Sequence, residues 1–234
     1  MMKQICTALC LSTALTLSAH AADKQQIDQR VRASQLVLHE LMATPDHSIP
    51  DNIAEHATCV AVIPGVKKGA FVVGGQYGQG VVTCRTGHGW SAPAFIQLTG
   101  ASFGFQIGGE STDLVLVGET HDAFERLLQD KVKLGADVSV AAGPVGRNSQ
   151  AATTEIPNTG FLAYSRSKGV FAGIDLSGDV IHQNHDDTNA YYGNNASYQA
   201  ILTGHVPAPP SAAPFEHTVA ELFHAHNNES ASLH

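Results

Sequence analysis

Positive charge is scarce in this chain. Its 234 residues hold 13 Lys and Arg against 21 Asp and Glu, a formal net charge of −8. Nucleic-acid binding needs a basic footprint, and none is present. General attraction to an anionic membrane is disfavoured for the same reason, which leaves only a local basic patch. Long apolar runs are also lacking. Beyond the first twenty residues nothing reaches the ~18 consecutive apolar residues of a membrane-spanning helix. Common catalytic signatures are missing as well. There is no G-x-S-x-G elbow, so a serine hydrolase of the usual α/β kind is unsupported. Gly75-Gln76-Tyr77-Gly78-Gln79-Gly80 has the glycines of a phosphate-cradling loop but not its Lys-Ser/Thr ending, and it reads as a glycine-rich hairpin. Gly100, Gly104 and Gly108 follow the small-xxx-small spacing of packed membrane helices. The polar Gln97, Thr99, Ser102, Gln106 and Glu110 around them predict instead a strand that another backbone approaches closely.

The beginning of the chain reads as a secretory signal. Lys3 supplies a charge, Ile5 to Ala19 form an uncharged run too short to span a bilayer, and Ala19-His20-Ala21 is a small-x-small cleavage site. Cleavage after Ala21 is expected, with the mature chain exported to the periplasm. Cys6 follows Ile5 and Cys10 follows Leu9, so neither has the small preceding residue of a lipidated cysteine. With Lys3 removed and all 21 acidic residues kept, the remainder carries −9. About 213 residues are enough for one domain with a real core. Two cysteines remain, Cys59 and Cys84, and an even pair in an oxidising compartment points to a disulfide, with two free buried thiols as the alternative. Their strands would be neighbours, separated by one hairpin.

Residues 24–42 have the period of an amphipathic helix, with Ile27, Val31, Leu38, Leu41 and Met42 on one stripe together with Ser34. Leu36 falls on the polar side, which suggests cover there too. Pro45 ends the helix. A short helix is expected over 50–57, with Ser48 or Asp51 near its cap and Pro50 in its first turn. From Cys59 the texture changes. Twenty-one of 22 glycines lie between Gly65 and Gly193, interleaved with Val, Ile, Phe and Thr. That texture predicts short strands near 58–63, 69–76, 79–86, 93–107, 111–118, 136–142, 160–166, 169–175 and 178–182. One helix interrupts them, capped by Thr120, with Phe124, Leu127, Leu128 and Val132 on its apolar face and Lys131 and Lys133 at its end. Short helical pieces are expected within 186–203. Val206 to Pro214 reads as an extended Pro-rich linker, and the last twenty residues as a His-rich tail (His217, His224, His226, His234) with little to build a core.

Two histidine groups offer ligands: His182, His185, Asp186 and Asp187 close in sequence, and His217, Glu221 and His224 on one helix face. Neither has a recognised zinc spacing, and a solvated loop and a polar tail are the alternative. The few cations cluster in turn-like segments: Lys67-Lys68, Arg147, and Arg166 with Lys168. They are either solvated or form an anion or headgroup site.

The order of motifs resembles the SYLF-domain family, found in bacterial envelope proteins and in eukaryotic lipid- and actin-binding proteins. The matching blocks include Ile63-Pro64-Gly65-Val66-Lys67-Lys68-Gly69, Gly75 to Gly80, Trp90-Ser91-Ala92-Pro93-Ala94 and Gly104-Phe105-Gln106-Ile107-Gly108. They continue with Asp113-Leu114-Val115, Lys133-Leu134-Gly135, Ala142 to Arg147, Tyr164 to Gly173, and Tyr191-Tyr192-Gly193. The resemblance spans roughly residues 27–204 and implies a domain without catalytic residues or cofactor that binds lipid. In eukaryotic members the ligand is a phosphoinositide, engaged partly through an amphipathic N-terminal segment, and some members bind actin. Here the first helix mixes Lys24, Arg30 and Arg32 with Asp23, Asp28 and Glu40, a weak polybasic clamp. An exported protein also meets neither actin nor, ordinarily, phosphoinositides.

The expectation is therefore a single α+β domain over residues 22–204, a mainly antiparallel, twisted, Gly-rich sheet with an N-terminal helix and a central packed helix. Its partner would be phospholipid or a membrane surface, met by Lys67, Lys68, Arg147, Arg166 and Lys168. A His-dependent metal-binding protein and a hydrolase with an unrecognised site stand as alternatives.

Overall fold

The computed structural model describes residues 24–43, 48–145, 160–167, 170–171, 176–194 and 196–224. Its elements, in order, are helix α1 (24–42), helix α2 (Asp51–His56), strands β1 (Cys59–Thr86), β2 (Gly89–Trp90) and β3 (Ala94–Gly118), and helix α3 (His121–Leu127). Strands β4 (Lys131–Lys133), β5 (Val140–Ala142), β6 (Phe161–Ser167), β7 (Val170–Phe171) and β8 (Val180–Gln183) follow. Helices α4 (His185–Tyr192), α5 (Tyr198–Leu202) and α6 (Ala213–Leu222) come last, α6 entered through a 3₁₀ turn at Pro210–Ala212. The α+β architecture with an N-terminal helix is the one expected.

The sheet is built on two very long strands. β1 runs 28 residues and β3 runs 25, paired antiparallel from Cys59↔Gly118 to Val82↔Ala94. Three expected strands fuse into β1 and two into β3. Gly75–Gly80 is accordingly extended strand and not the expected hairpin. Glycine interrupts a strand only where its missing side chain or its φ is used to turn the chain, and here most of the ladder simply continues through it. Two bulges, at Ile63/Val66 and Ala70/Val72, bend the ribbon. Pro64 sits inside the first, where its missing N–H breaks no ladder bond, and Gly65 there takes φ +57.

Bending brings the two ends of β1 together. The Arg85 amide donates to the Thr58 carbonyl at 2.7 Å. Cys59 and Cys84 form a disulfide with Cα atoms 4.0 Å apart. The pairing is the expected one, but both cysteines lie on the same strand and not on neighbours. Gly80 sits where β1 crosses itself. A Cβ there would stand inside contact distance of the Val62 carbonyl oxygen and 2.8 Å from Ile63 Cα.

The first half of β3 also pairs β8, which pairs β4, while its last half pairs β6. All ladders are antiparallel except β5 with β6. Both faces of the curled sheet are covered. Cys59, Ala61, Ile63, Leu114, Leu116 and Phe161 face α3 and α5. Val60, Val62, Val115, Val117, Leu162 and Tyr164 face α1, α2 and α6. Double coverage explains why Cys59–Ile63 and Leu114–Val117 are continuous apolar runs instead of alternating ones.

Helix α1 forms for the reason its period suggests: Ile27, Val31, Leu38 and Leu41 are buried, with Ser34 among them. Leu36 is 60 % exposed, so its side of the helix has no cover, against expectation. Pro50 is itself the N-cap of α2, without a side-chain cap bond. Thr120 caps α3 as expected, its hydroxyl accepting from the Ala123 amide at 3.2 Å. That helix stops at Leu127. Lys131, Val132 and Lys133 belong to β4, not to the helix end. Two helices, α4 and α5, do occupy the 186–203 region.

The segment expected to be linker and tail departs furthest from the sequence reading. Phe215 and Val219 of α6, and Phe223 just after it, are buried in the same core as α1. The Thr218 hydroxyl accepts from the Gln35 side-chain amide, and Tyr191 and Ser211 join through their hydroxyls at 2.8 Å. Phe223 meets Trp90 edge-on at 5.9 Å. Residues 205–224 are thus part of the domain.

Candidate functional site

Lys67 and Lys68 stand just beyond the first bulge of β1, in register with Ser111 and Glu110. Lys67 is exposed and Lys68 half-buried. Neither forms an ion pair with a residue whose side chain is described, and Glu110, opposite Lys68, is not one of those. The neighbouring row of the sheet runs Val66, Thr112, Ser167 across β1, β3 and β6, so Arg166 lies in the same stretch. Lys67, Lys68 and Arg166 are thus brought to one stretch of the sheet, within the β1–β3 ladder and at the end of β6. Arg147 and Lys168 lie outside the described residues.

Arg166 is differently placed from the two lysines. Its guanidinium pairs with Glu40 of α1 and donates to Asp113 of β3 at 3.3 Å, and its side chain is only 18 % exposed. Asp113 in turn accepts from the Gly65 amide at 2.9 Å, so one carboxylate ties the bulge to the arginine. The paired carboxylates hold the Arg166 charge more firmly than usual, raising its pKa. At the other end of α1, Arg30 pairs with Asp187 of α4 and donates to the Gln79 side chain at 2.8 Å. The first helix is therefore fastened at both ends and its apolar stripe is core. That stripe supplies no free apolar surface to a ligand, and Leu36 on the opposite side is the helix's exposed large apolar residue.

The histidines do not converge. His182 meets the Thr99 hydroxyl at 3.0 Å, His185 approaches Asp130 at 3.4 Å, and His217 approaches Glu221 at 3.8 Å. Among the described residues no three His, Cys, Asp or Glu side chains are placed to hold a metal ion.

Sequence reasoning missed Arg85. Its Nε donates to the Ala57 carbonyl at 2.9 Å and one terminal nitrogen to the Phe223 carbonyl at 2.9 Å, while its guanidinium lies 4.7 Å from the centre of the Trp90 ring. Burial lowers its pKa. This cation joins α2, β1, β2 and the end of α6. No local pattern marks it, because the carbonyls it donates to come from distant segments, although Trp90 lies opposite it across the hairpin.

A family model described as Ysc84, Las17-binding protein actin regulator, matches residues 99–222, through α6. LAS seventeen-binding protein 3 of Saccharomyces cerevisiae is 36 % identical over 173 residues, covering 72 % of this chain and 38 % of that protein. SH3 domain-containing YSC84-like protein 1 of Mus musculus is 34 % identical over 170 residues, 72 % of this chain and 50 % of the relative. The Homo sapiens protein of that name is 30 % identical over 191 residues, 81 % and 56 %. This chain spans from about two fifths to somewhat over half the length of these relatives. The matched family model, covering more than half of the chain, and the run of shared blocks place the chain in the Ysc84, or SYLF-domain, family.

Proposed function

We propose that this is an exported, periplasmic SYLF protein that binds phospholipid at a membrane surface and acts in the cell envelope without catalysis. The lipid ligand is what the SYLF resemblance implies. The observation that carries the reading is the placement of Lys67 and Lys68. Lys67 is exposed and Lys68 half-buried, within a block that carries the family pattern, while Arg166 on the adjoining β6 is committed to two carboxylates. An exposed ammonium group such as that of Lys67 is free to meet phosphate oxygens. Because the chain is net acidic, the attraction is local and weakens with salt over roughly 10 Å at 0.1 M. Export is supported by Lys3, the apolar run and Ala19-His20-Ala21. The Las17 binding and actin regulation that the family description names belong to those proteins, and an exported chain meets no actin.

The test is co-sedimentation of the secreted protein with anionic and zwitterionic vesicles at low and high salt. Salt-sensitive binding to anionic vesicles, weakened at least tenfold by Lys67→Glu/Lys68→Glu, is expected. A folded wild-type protein that sediments with neither vesicle refutes the lipid reading. Binding that the double variant leaves intact refutes the site. Intact mass of the secreted protein is expected to begin at Ala22, and a mass that keeps residues 1–21 refutes processing.

A further inference from the structure

A cavity of about 550 Å³ lies between the β1–β2 turn and the segment that leads from α5 to α6. Thr86, His88 and Trp90 line one wall, and His205, Pro207 and Glu216 line the other. Its size is that of small-molecule sites, ~300–1,000 Å³. Gly204, at φ +80, lets the second wall close on the first: a Cβ there would stand 3.1 Å from the Thr86 methyl.

Glu216 is half-buried on this cavity and makes no ion pair with a described residue. Its neighbours do not satisfy it. The Tyr192 hydroxyl donates to the Pro93 carbonyl at 2.6 Å, and that of Tyr191 is joined to Ser211. Burial pushes the Glu216 carboxyl above the ordinary carboxylate range. A carboxylate drawn partly out of water without a counter-charge is costly, and a cation brought to it recovers that cost. A divalent metal would ask for three or four converging ligands. No such group exists among the described residues. An ammonium needs one carboxylate and an apolar wall, which Trp90 and Pro207 provide.

We propose that this cavity is a binding site for a small primary ammonium group, with Glu216 as its counter-charge and Trp90 and Pro207 as its walls. The group is carried either by a free amine or by the headgroup of an aminophospholipid. The proposal does not depend on the lysine-centred lipid reading, which uses a different part of the sheet and can fail separately.

Trp90 is the only tryptophan of the chain, so its fluorescence reports on the cavity. The full secreted protein is titrated with ethanolamine, with acetate, with zinc chloride, and with phosphatidylethanolamine or phosphatidylglycerol vesicles. A saturable response to ethanolamine, to phosphatidylethanolamine vesicles or to both is expected, at least tenfold weaker in Glu216→Gln. Response to the free amine alone assigns a soluble ligand, and response to the vesicles alone assigns a headgroup. His205→Asp, a change at an exposed position, adds a second carboxylate at the mouth and is expected to tighten binding at least threefold. No saturable response to either amine source overturns the proposal. So does an equal response to acetate or phosphatidylglycerol, a response to zinc alone, a Glu216→Gln variant that binds like wild type, or a folded His205→Asp variant that binds no more tightly.

Discussion

A single methyl group added at Gly80 is expected to destabilise the fold by about 2–3 kcal/mol. The reason is the crossing of β1 over itself. The new Cβ would fall on the Val62 carbonyl oxygen and within 2.8 Å of Ile63 Cα and Cγ1. Two of those three atoms are backbone. Both residues are held in the ladder, Val62 opposite Val115 and Ile63 opposite Leu114, so no rotamer change relieves the clash. Overpacking that forces backbone shifts costs about 1–3 kcal/mol, and the upper part of that range applies here. The loss of unfolded-state entropy on replacing glycine returns about 0.4–1 kcal/mol and does not cancel it. Gly69→Ala is the control. It lies on the same strand, and a Cβ there would meet no atom within 4 Å. For a chain of this size each kcal/mol moves the melting temperature by about 2–4 °C, so Gly80→Ala is expected to melt about 5–10 °C below the Gly69→Ala protein. Thermal unfolding followed by circular dichroism on the oxidised proteins measures this. If the two variants melt at the same temperature, β1 does not cross itself as described.

Three further outcomes are expected. Replacing Cys59 and Cys84 together by alanine removes a covalent closure across 25 residues and is expected to cost about 3 kcal/mol in urea unfolding; an unchanged midpoint would refute a stabilising bridge. Phe215→Ala or Phe223→Ala, each at a fully buried ring, is expected to cost about 3–5 kcal/mol, whereas a solvated tail would show no change. Burial raises the Glu119 pKa, opposed by the charge of His56, so the folded state holds that proton more tightly than the unfolded one. Stability is then lost as pH rises from the ordinary glutamate value through the raised one, and Glu119→Gln is expected to flatten that slope; an identical pH profile in the variant would refute it.

Several features of this protein were set locally and were therefore legible in its sequence. The stripe of Ile27, Val31, Leu38 and Leu41 buries because a helix places those positions on one side, whatever lies opposite. Thr120 caps α3 through a bond to the amide three residues on. The glycine and β-branched texture after Cys59 does become sheet, and the two cysteines do pair. The family blocks carry the resemblance without any coordinates. For α6 a signal was present but outvoted: Phe215, Val219 and Phe223 recur every four residues, yet the prolines before them and the histidines among them read as linker and tail.

The rest was decided only in three dimensions. Glycine reads locally as a turn, but at Gly80 its use is to let one part of a strand pass another, a contact made with the distant Val62 and Ile63. Whether Arg166 meets lipid or holds α1 depends on Glu40, brought to it from 126 residues away. Arg85 finds its carbonyls, and Glu216 its cavity, only after the ribbon has curled and α6 has closed over it. Periodicity reports which way a side chain faces along its own element. The partner it meets is set by the path of the whole chain, and so is the charge or hydrogen bond it lacks.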